Sequence, residues 1–148
     1  MTNDRKRIMS HLWIDPNACQ SLAVLVESVA ASLLIEHAGA VCLEVDIDTE
    51  MGIPADPTHT VDLIGALVKQ ALAQMPESGE LSITAVETAA GIELELADTG
   101  ARVESRPTSL PMAAAAIGAQ VTWQNCPQGG AAATIIFARQ SGSGRLAA

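Results

Sequence analysis

Aromatic side chains are nearly missing from this 148-residue chain: it has two tryptophans, Trp13 and Trp123, one phenylalanine, Phe137, and no tyrosine. An interior must therefore be assembled from Leu, Ile, Val, Met and Ala, and stacking platforms for nucleobases are excluded. Basic residues are scarce too, with 8 Lys plus Arg against 17 Asp plus Glu and a formal net charge of -9. Lys69 is the only one between Ile8 and Ala101. So acidic a chain repels phosphate backbones, so no nucleic-acid partner is expected, and the acidic middle favours a basic protein surface instead. The three cysteines, Cys19, Cys42 and Cys126, are odd in number, widely spaced and set among apolar residues. That suits buried, reduced thiols better than a disulfide frame or a metal site. The longest apolar run, Leu22 to Ile35, is broken by Glu27 and too short to span a bilayer. Arg5, Lys6 and Arg7 are not followed by the apolar core and small-residue cleavage site of a secretory signal, so a cytoplasmic protein without membrane association is expected.

What is present suffices for one packed core: 49% of the residues are hydrophobic and 17% charged. After Asp15, Pro16 and Asn17, which resemble a helix start, Leu22, Leu25, Val26, Val29 and Leu33 recur at helical spacing. They predict a first helix to about His37, stopped by Gly39. Val41, Leu43, Val45 and Ile47 alternate with polar residues and predict a strand. Thr58 or Thr60 is expected to cap a second helix, which carries Ile64, Leu67, Val68, Ala71 and Leu72 and ends at Pro76. A hairpin follows, with Leu81 and Ile83 on one arm, Ala90-Gly91 at the turn, and Leu94 and Leu96 on the other arm among glutamates. Ala101 to Ser109 reads as a polar loop, and a short Ala-rich helix begins after Leu110-Pro111 and ends at Gly118. Val121 and Trp123 lie on the next strand, and Ala131 to Ala138 form the last. This order predicts an α+β fold, a two-layer α/β sandwich whose mixed, mainly antiparallel sheet is covered on one face by three helices. The domain is expected over 15–138, with an N-terminal extension over 1–14 and a loose Ser-, Gly- and Ala-rich tail over 139–148.

The run Leu67-Val-Lys-Gln-Ala-Leu-Ala-Gln-Met-Pro-Glu-Ser-Gly-Glu-Leu-Ser-Ile83, followed by Gly91-Ile-Glu-Leu-Glu-Leu-Ala-Asp-Thr-Gly100, resembles the ATP-binding domain of sensor histidine kinases and the wider GHKL ATPase superfamily. Ala55-Asp56-Pro57-Thr58 is similar to the family's loop into the preceding helix. Gly118-Ala-Gln-Val with Gln128-Gly-Gly-Ala is similar to its closing segment. The resemblance covers about Leu22 to Ala138 and implies the Bergerat-type version of the sandwich. It implies that Asp98 accepts from the adenine amino group and that Gly100 lets backbone approach the base. A carboxylate is an acceptor-only group, which suits an exocyclic amine. Read without the resemblance, Asp98-Thr-Gly100 is an ordinary turn.

Departures from the family pattern carry as much information. Gln70 stands where the family has a magnesium-binding Asn, and its amide lies one methylene further out than octahedral magnesium readily accepts. Ala66 stands where the ATPase branches keep a general-base Glu, and Arg102 replaces the second glycine of Asp-x-Gly-x-Gly. No glycine lies between Gly100 and Gly118, so the glycine-rich phosphate cradle is missing. Arg102 and Arg106 read as solvated loop residues, or as positive charge for a phosphate.

The leading expectation is a stand-alone, degenerate histidine kinase-like domain with no catalytic residues, acting in signalling through a protein partner with weak or lost nucleotide binding. One alternative is a functional ATP-binding kinase or anti-sigma-type regulator, with Asp98 and Gly100 at adenine, Gln70 on magnesium, and Arg102 or Arg106 on phosphate. A second is a phosphotransfer adapter using His11, which follows Ser10 as in a phosphoacceptor box. The exposed faces of the Ala-rich helices would suit a homodimer.

Overall fold

The computed structural model describes residues 20–138. The extension over 1–14, the Asp15-Pro16-Asn17 helix start, His11, Cys19 and the tail over 139–148 lie outside the described residues.

Helix α1 spans Leu22–Glu36, and Ser21 caps it by accepting from the backbone N–H of Val24 at 3.3 Å. Of the stripe that the spacing predicts, Leu22, Leu25, Val26 and Val29 are buried and Leu33 is half-buried against the core. Strand β1, Ala40–Asp46, follows. Helix α2 spans Pro57–Ala73, and here the capping expectation is corrected: Asp56 is the N-cap, with Pro57 in the first turn. Proline at that position gives up no helical hydrogen bond, and its fixed φ prepares the turn. Thr60 is instead fully buried, donating its hydroxyl to the Asp56 carbonyl at 2.7 Å. Strands β2, Ser78–Thr88, and β3, Gly91–Asp98, form the hairpin. A single 3-10 turn, Val103–Ser105, interrupts the next loop before the short helix α3, Met112–Ala116. Strands β4, Gln120–Asn125, and β5, Ala131–Ala138, close the chain of elements.

The five strands form one sheet in the order β1-β2-β3-β5-β4. The β1–β2 pair is parallel, and the other three pairs are antiparallel. A parallel neighbour requires a crossover, and α2 supplies it. The expected α+β sandwich is the observed fold. Along each strand alternate residues point toward the helices. On β2 these include Leu81 and Ile83, on β3 Leu94 and Leu96, on β5 Ile135 and Phe137, all buried. They meet Leu63, Ile64, Leu67, Val68 and Met75 of the α2 region in one core. The same parity sends Glu44, Asp46, Glu80, Glu93 and Glu95 to the other face of the sheet, and none of the five strands contains a Lys or Arg. One thiol departs from expectation: Cys42 is exposed, because its place on edge strand β1 has the parity of that polar face, while Cys126 is half-buried.

Two local features yield tests. Gly130 has φ +85, and a Cβ there would run into the backbone carbonyl of Asp98. Gly130→Ala is expected to cost at least about 1 kcal/mol in urea denaturation. Gly52→Ala, whose Cβ would meet only the Gln20 carbonyl oxygen at an ordinary 4.0 Å and needs no unusual φ, should cost little. The second concerns the α2 cap. The Asp56 carboxylate accepts from the backbone N–H of His59 at 3.0 Å and pairs with His59 Nδ1 at 2.8 Å. The backbone hydrogen bond, ahead of the His59 charge, holds Asp56 below its ordinary value of 3.8. A depressed folded-state value stabilises the fold above the unfolded value and is lost as pH falls through the folded one. The stability advantage of wild type over Asp56→Ala should therefore be largest above 3.8 and vanish with further acidification, as followed by thermal melts across pH.

Candidate functional site

Asp98 is the last residue of β3, and its parity with Leu94 and Leu96 turns its side chain inward under α2. A carboxylate there is taken out of water and needs compensation. The loop that leaves β3 supplies it. Arg106 returns to the sheet and donates from Nη1 to Asp98 Oδ2 and from Nη2 to Asp98 Oδ1, each at 2.7 Å. The two side chains are only 4% and 3% exposed, which makes this a buried, two-pronged ion pair. Asp98 Oδ1 also accepts the Gly100 N–H at 2.9 Å. The remaining edge of the guanidinium is directed at the Ala101 carbonyl, with Nε donating at 3.0 Å and Nη2 reaching the same oxygen.

Further contacts of Gln70, Asn125 and Thr99 fasten the 99–111 loop over the site as a strap. Gln70 Nε2, on α2, donates to the Ser109 carbonyl at 2.9 Å. Asn125, at the end of β4, accepts from the Val103 N–H at 2.7 Å and donates from Nδ2 to Glu104 at 3.1 Å. Thr99 accepts from the Glu80 N–H at 3.0 Å, tying the root of the strap to β2. Leu67, Gln70, Ala71, Leu96, Trp123 and Ala133 surround the Asp98–Arg106 pair. The space left among them is about 10 Å³, room for about one water molecule. Larger hollows lie outside, along the solvent side of α2: one of about 300 Å³ between Val29 and Ala66, and one of about 510 Å³ beside Met112. Among the described residues no cluster of His, Cys, Asp and Glu has the makings of a metal site, and no helix is long and apolar enough to cross a membrane.

Of the residues singled out from the sequence, the structure brings Gln70, Asp98, Gly100 and Arg106 together and leaves Arg102 outside. Arg102 is 64% exposed, with Glu104 Oε1 at 3.6 Å. Glu104 lies below its ordinary value, first through a backbone N–H and then through the Asn125 amide. The reading of both arginines as solvated is corrected for Arg106, since Asp98 offers it a buried counter-charge. Gly100 is small for a local reason: a Cβ would come within 2.5 Å of Gln74 Cβ and 2.6 Å of the Gln74 carbonyl oxygen. Sequence reasoning missed Trp123 and Asn125. Their signal was parity on β4, since Trp123 pairs with Ala133 and Asn125 with Ala131, the inward residues of β5. Cys126 adjoins the site, and its thiol is raised above its ordinary value by burial first, then by Glu95 and Asp98.

The chain aligns with the catalytic domain of histidine kinase ThkA at a TM-score of 0.65 and 17% identity, covering 80% of this chain and 94% of that one. The mycobacterial sensor histidine kinase MprB gives 0.64 at 13% identity, with 80% and 95% covered. The ATP-binding domain of PrrB from Mycobacterium tuberculosis gives 0.59 at 17% identity, with 82% and 96% covered. The fold is that of a histidine-kinase ATP-binding domain. No protein-family model matches the sequence, and no curated protein matches it.

Set against that fold, the position where the resemblance puts the adenine amino group holds a guanidinium. Sites for small organic ligands offer roughly 300–1,000 Å³, and the space beside Asp98 is about 10 Å³. With the strap closed, the residues present do not fit a purine there. The Gln70 amide, the position implied for magnesium, is engaged with the strap. Arg106→Ala strands a buried carboxylate and is expected to cost about 3–5 kcal/mol in urea denaturation. Arg102→Ala removes an exposed, long ion pair and should stay within experimental error.

Proposed function

We propose that this is a degenerate histidine kinase-like ATP-binding domain that works in signalling by recognising a protein partner, with weak or lost nucleotide binding and no catalysis of its own. The observation that carries the reading is the buried Asp98–Arg106 pair, which occupies the adenine-recognising carboxylate from within the chain. Three sequence features support it: Ala66 in place of a general base, Gln70 in place of the magnesium-binding Asn, and a strap without the glycines that cradle phosphate. Gln70 and Arg106 both fasten the strap.

The surface has two sides of different character. The sheet face turned away from the helices carries the five carboxylates of β1, β2 and β3. The helical side exposes Ile35 at 52%, Leu110 at 55% and Met112 at 90%. A basic protein partner suits the first, and a second copy of the chain or an apolar protein surface suits the second. The test is a titration of wild type with a fluorescent ATP analogue, with and without magnesium. No saturation in the micromolar range is expected, and micromolar, magnesium-dependent binding overturns the reading.

A further inference from the structure

Among the described residues the Asp98 hollow is the one place where a side-chain charge is enclosed by apolar walls, and its chemistry can be taken further. We propose that it is a guanidinium-binding site and that Arg106 is its tethered ligand, so that the specificity of Asp98 has passed from a neutral nucleobase to a planar cation. This deepens the proposed function and rests on its reading that Arg106 is the resident occupant.

Three observations carry the inference. The first is charge. A carboxylate 3% exposed among Leu67, Ala71, Leu96, Trp123 and Ala133 requires a counter-ion, which a neutral purine does not provide. The other Lys and Arg of the described residues, Lys69 and Arg102, are exposed. The second is shape. Both carboxylate oxygens are engaged by two parallel N–H donors at 2.7 Å. The Ala101 carbonyl takes the third edge through Nε at 3.0 Å. Two acceptors side by side and a third beyond them match the five-donor fork of a guanidinium. An ammonium has no such fork, and the edge of adenine would set its ring nitrogen, an acceptor, against a carboxylate oxygen. The third is rigidity. The strap that carries the Ala101 acceptor is fixed from outside the site by Gln70 and Asn125, and Gly100 orients Asp98 through its N–H. None of these fasteners depends on the guanidinium itself, so the receptor outlasts removal of its ligand. In the resting chain the ligand is supplied in cis, and a competitor must be a guanidinium or amidinium.

Chemical rescue tests this on the full chain. Arg106→Ala is melted with methylguanidinium chloride at millimolar concentration, with methylammonium chloride and adenosine as matched additives. Methylguanidinium should raise the melting temperature of R106A by a few degrees, while methylammonium and adenosine leave it unchanged. Wild type, already occupied, should show no rise, and neither should the double variant D98A/R106A, which has no carboxylate to pair. If R106A is unfolded at room temperature, the readout becomes recovery of its far-UV ellipticity on adding methylguanidinium. The absence of a guanidinium-specific gain in R106A, an equal gain with methylammonium, a gain that persists in D98A/R106A, or a larger gain with adenosine each overturns the proposal. A failed rescue in a protein that also ignores ATP sinks the guanidinium site alone. Micromolar ATP binding by wild type sinks the functional reading whatever R106A does.

Discussion

A carboxylate at the inner end of β3 has to be neutralised, and the way this chain does so organises everything near it. Asp98 is buried because strand periodicity gives it the same orientation as Leu94 and Leu96. Left alone it would cost several kcal/mol of lost hydration. The remedy comes from eight residues further on, so the intervening chain must fold back across the sheet. Gln70 and Asn125 bind backbone groups of the strap, and Thr99 at its root accepts from the Glu80 N–H of β2. The pair fills the hollow beneath α2, while Gln70 and Asn125, which bind the strap without the guanidinium, hold the course of the β3–α3 connection.

In the fold of the histidine-kinase ATP-binding domain, a small set of substitutions can separate scaffold from chemistry. Packing of the helical layer on the sheet relies on Leu, Ile and Val of α1, α2, β2, β3 and β5, and none of these is a residue that the resemblance assigns to nucleotide. The residues it does assign are used here as structural links. Gln70 donates to a strap carbonyl, Gly100 makes room for the end of α2, and Asp98 binds an arginine. In the function proposed above, these links contribute stability in place of nucleotide affinity.

Much of this could be read from the sequence, and the boundary is physical. Element types and order followed from periodicity: the stripe on α1, the alternation on β1, the hairpin around Ala90-Gly91 and the proline before α3 all reflect local spacing. Asp98 as an inward carboxylate was equally accessible, because parity along β3 is local. The partner of Asp98 was not. Arg106 sits in a stretch whose composition is that of solvated loop, and nothing in its neighbours reports that a buried charge waits for it across the fold. The α2 cap was misplaced by two to four residues because Thr58 and Thr60 are good caps in isolation, and only the Asp56-Pro57 pairing decides among them. Cys42 was misjudged because an apolar neighbourhood in sequence is shared between two faces of a strand, one of them wet.

The side of the sheet turned away from the helices follows a different rule from the site beneath α2. Glu44, Asp46, Glu80, Glu93 and Glu95 lie on neighbouring strands whose backbones are about 5 Å apart, with no Lys or Arg on any strand to interleave them. Their mutual repulsion acts through solvent and shrinks as the Debye length falls. The enclosed pair at Asp98 is shielded from mobile ions and feels little of that change. Added electrolyte therefore tightens this domain where it would loosen one held by surface ion pairs, and this acidic face meets its neighbours least repulsively in concentrated, ion-rich surroundings.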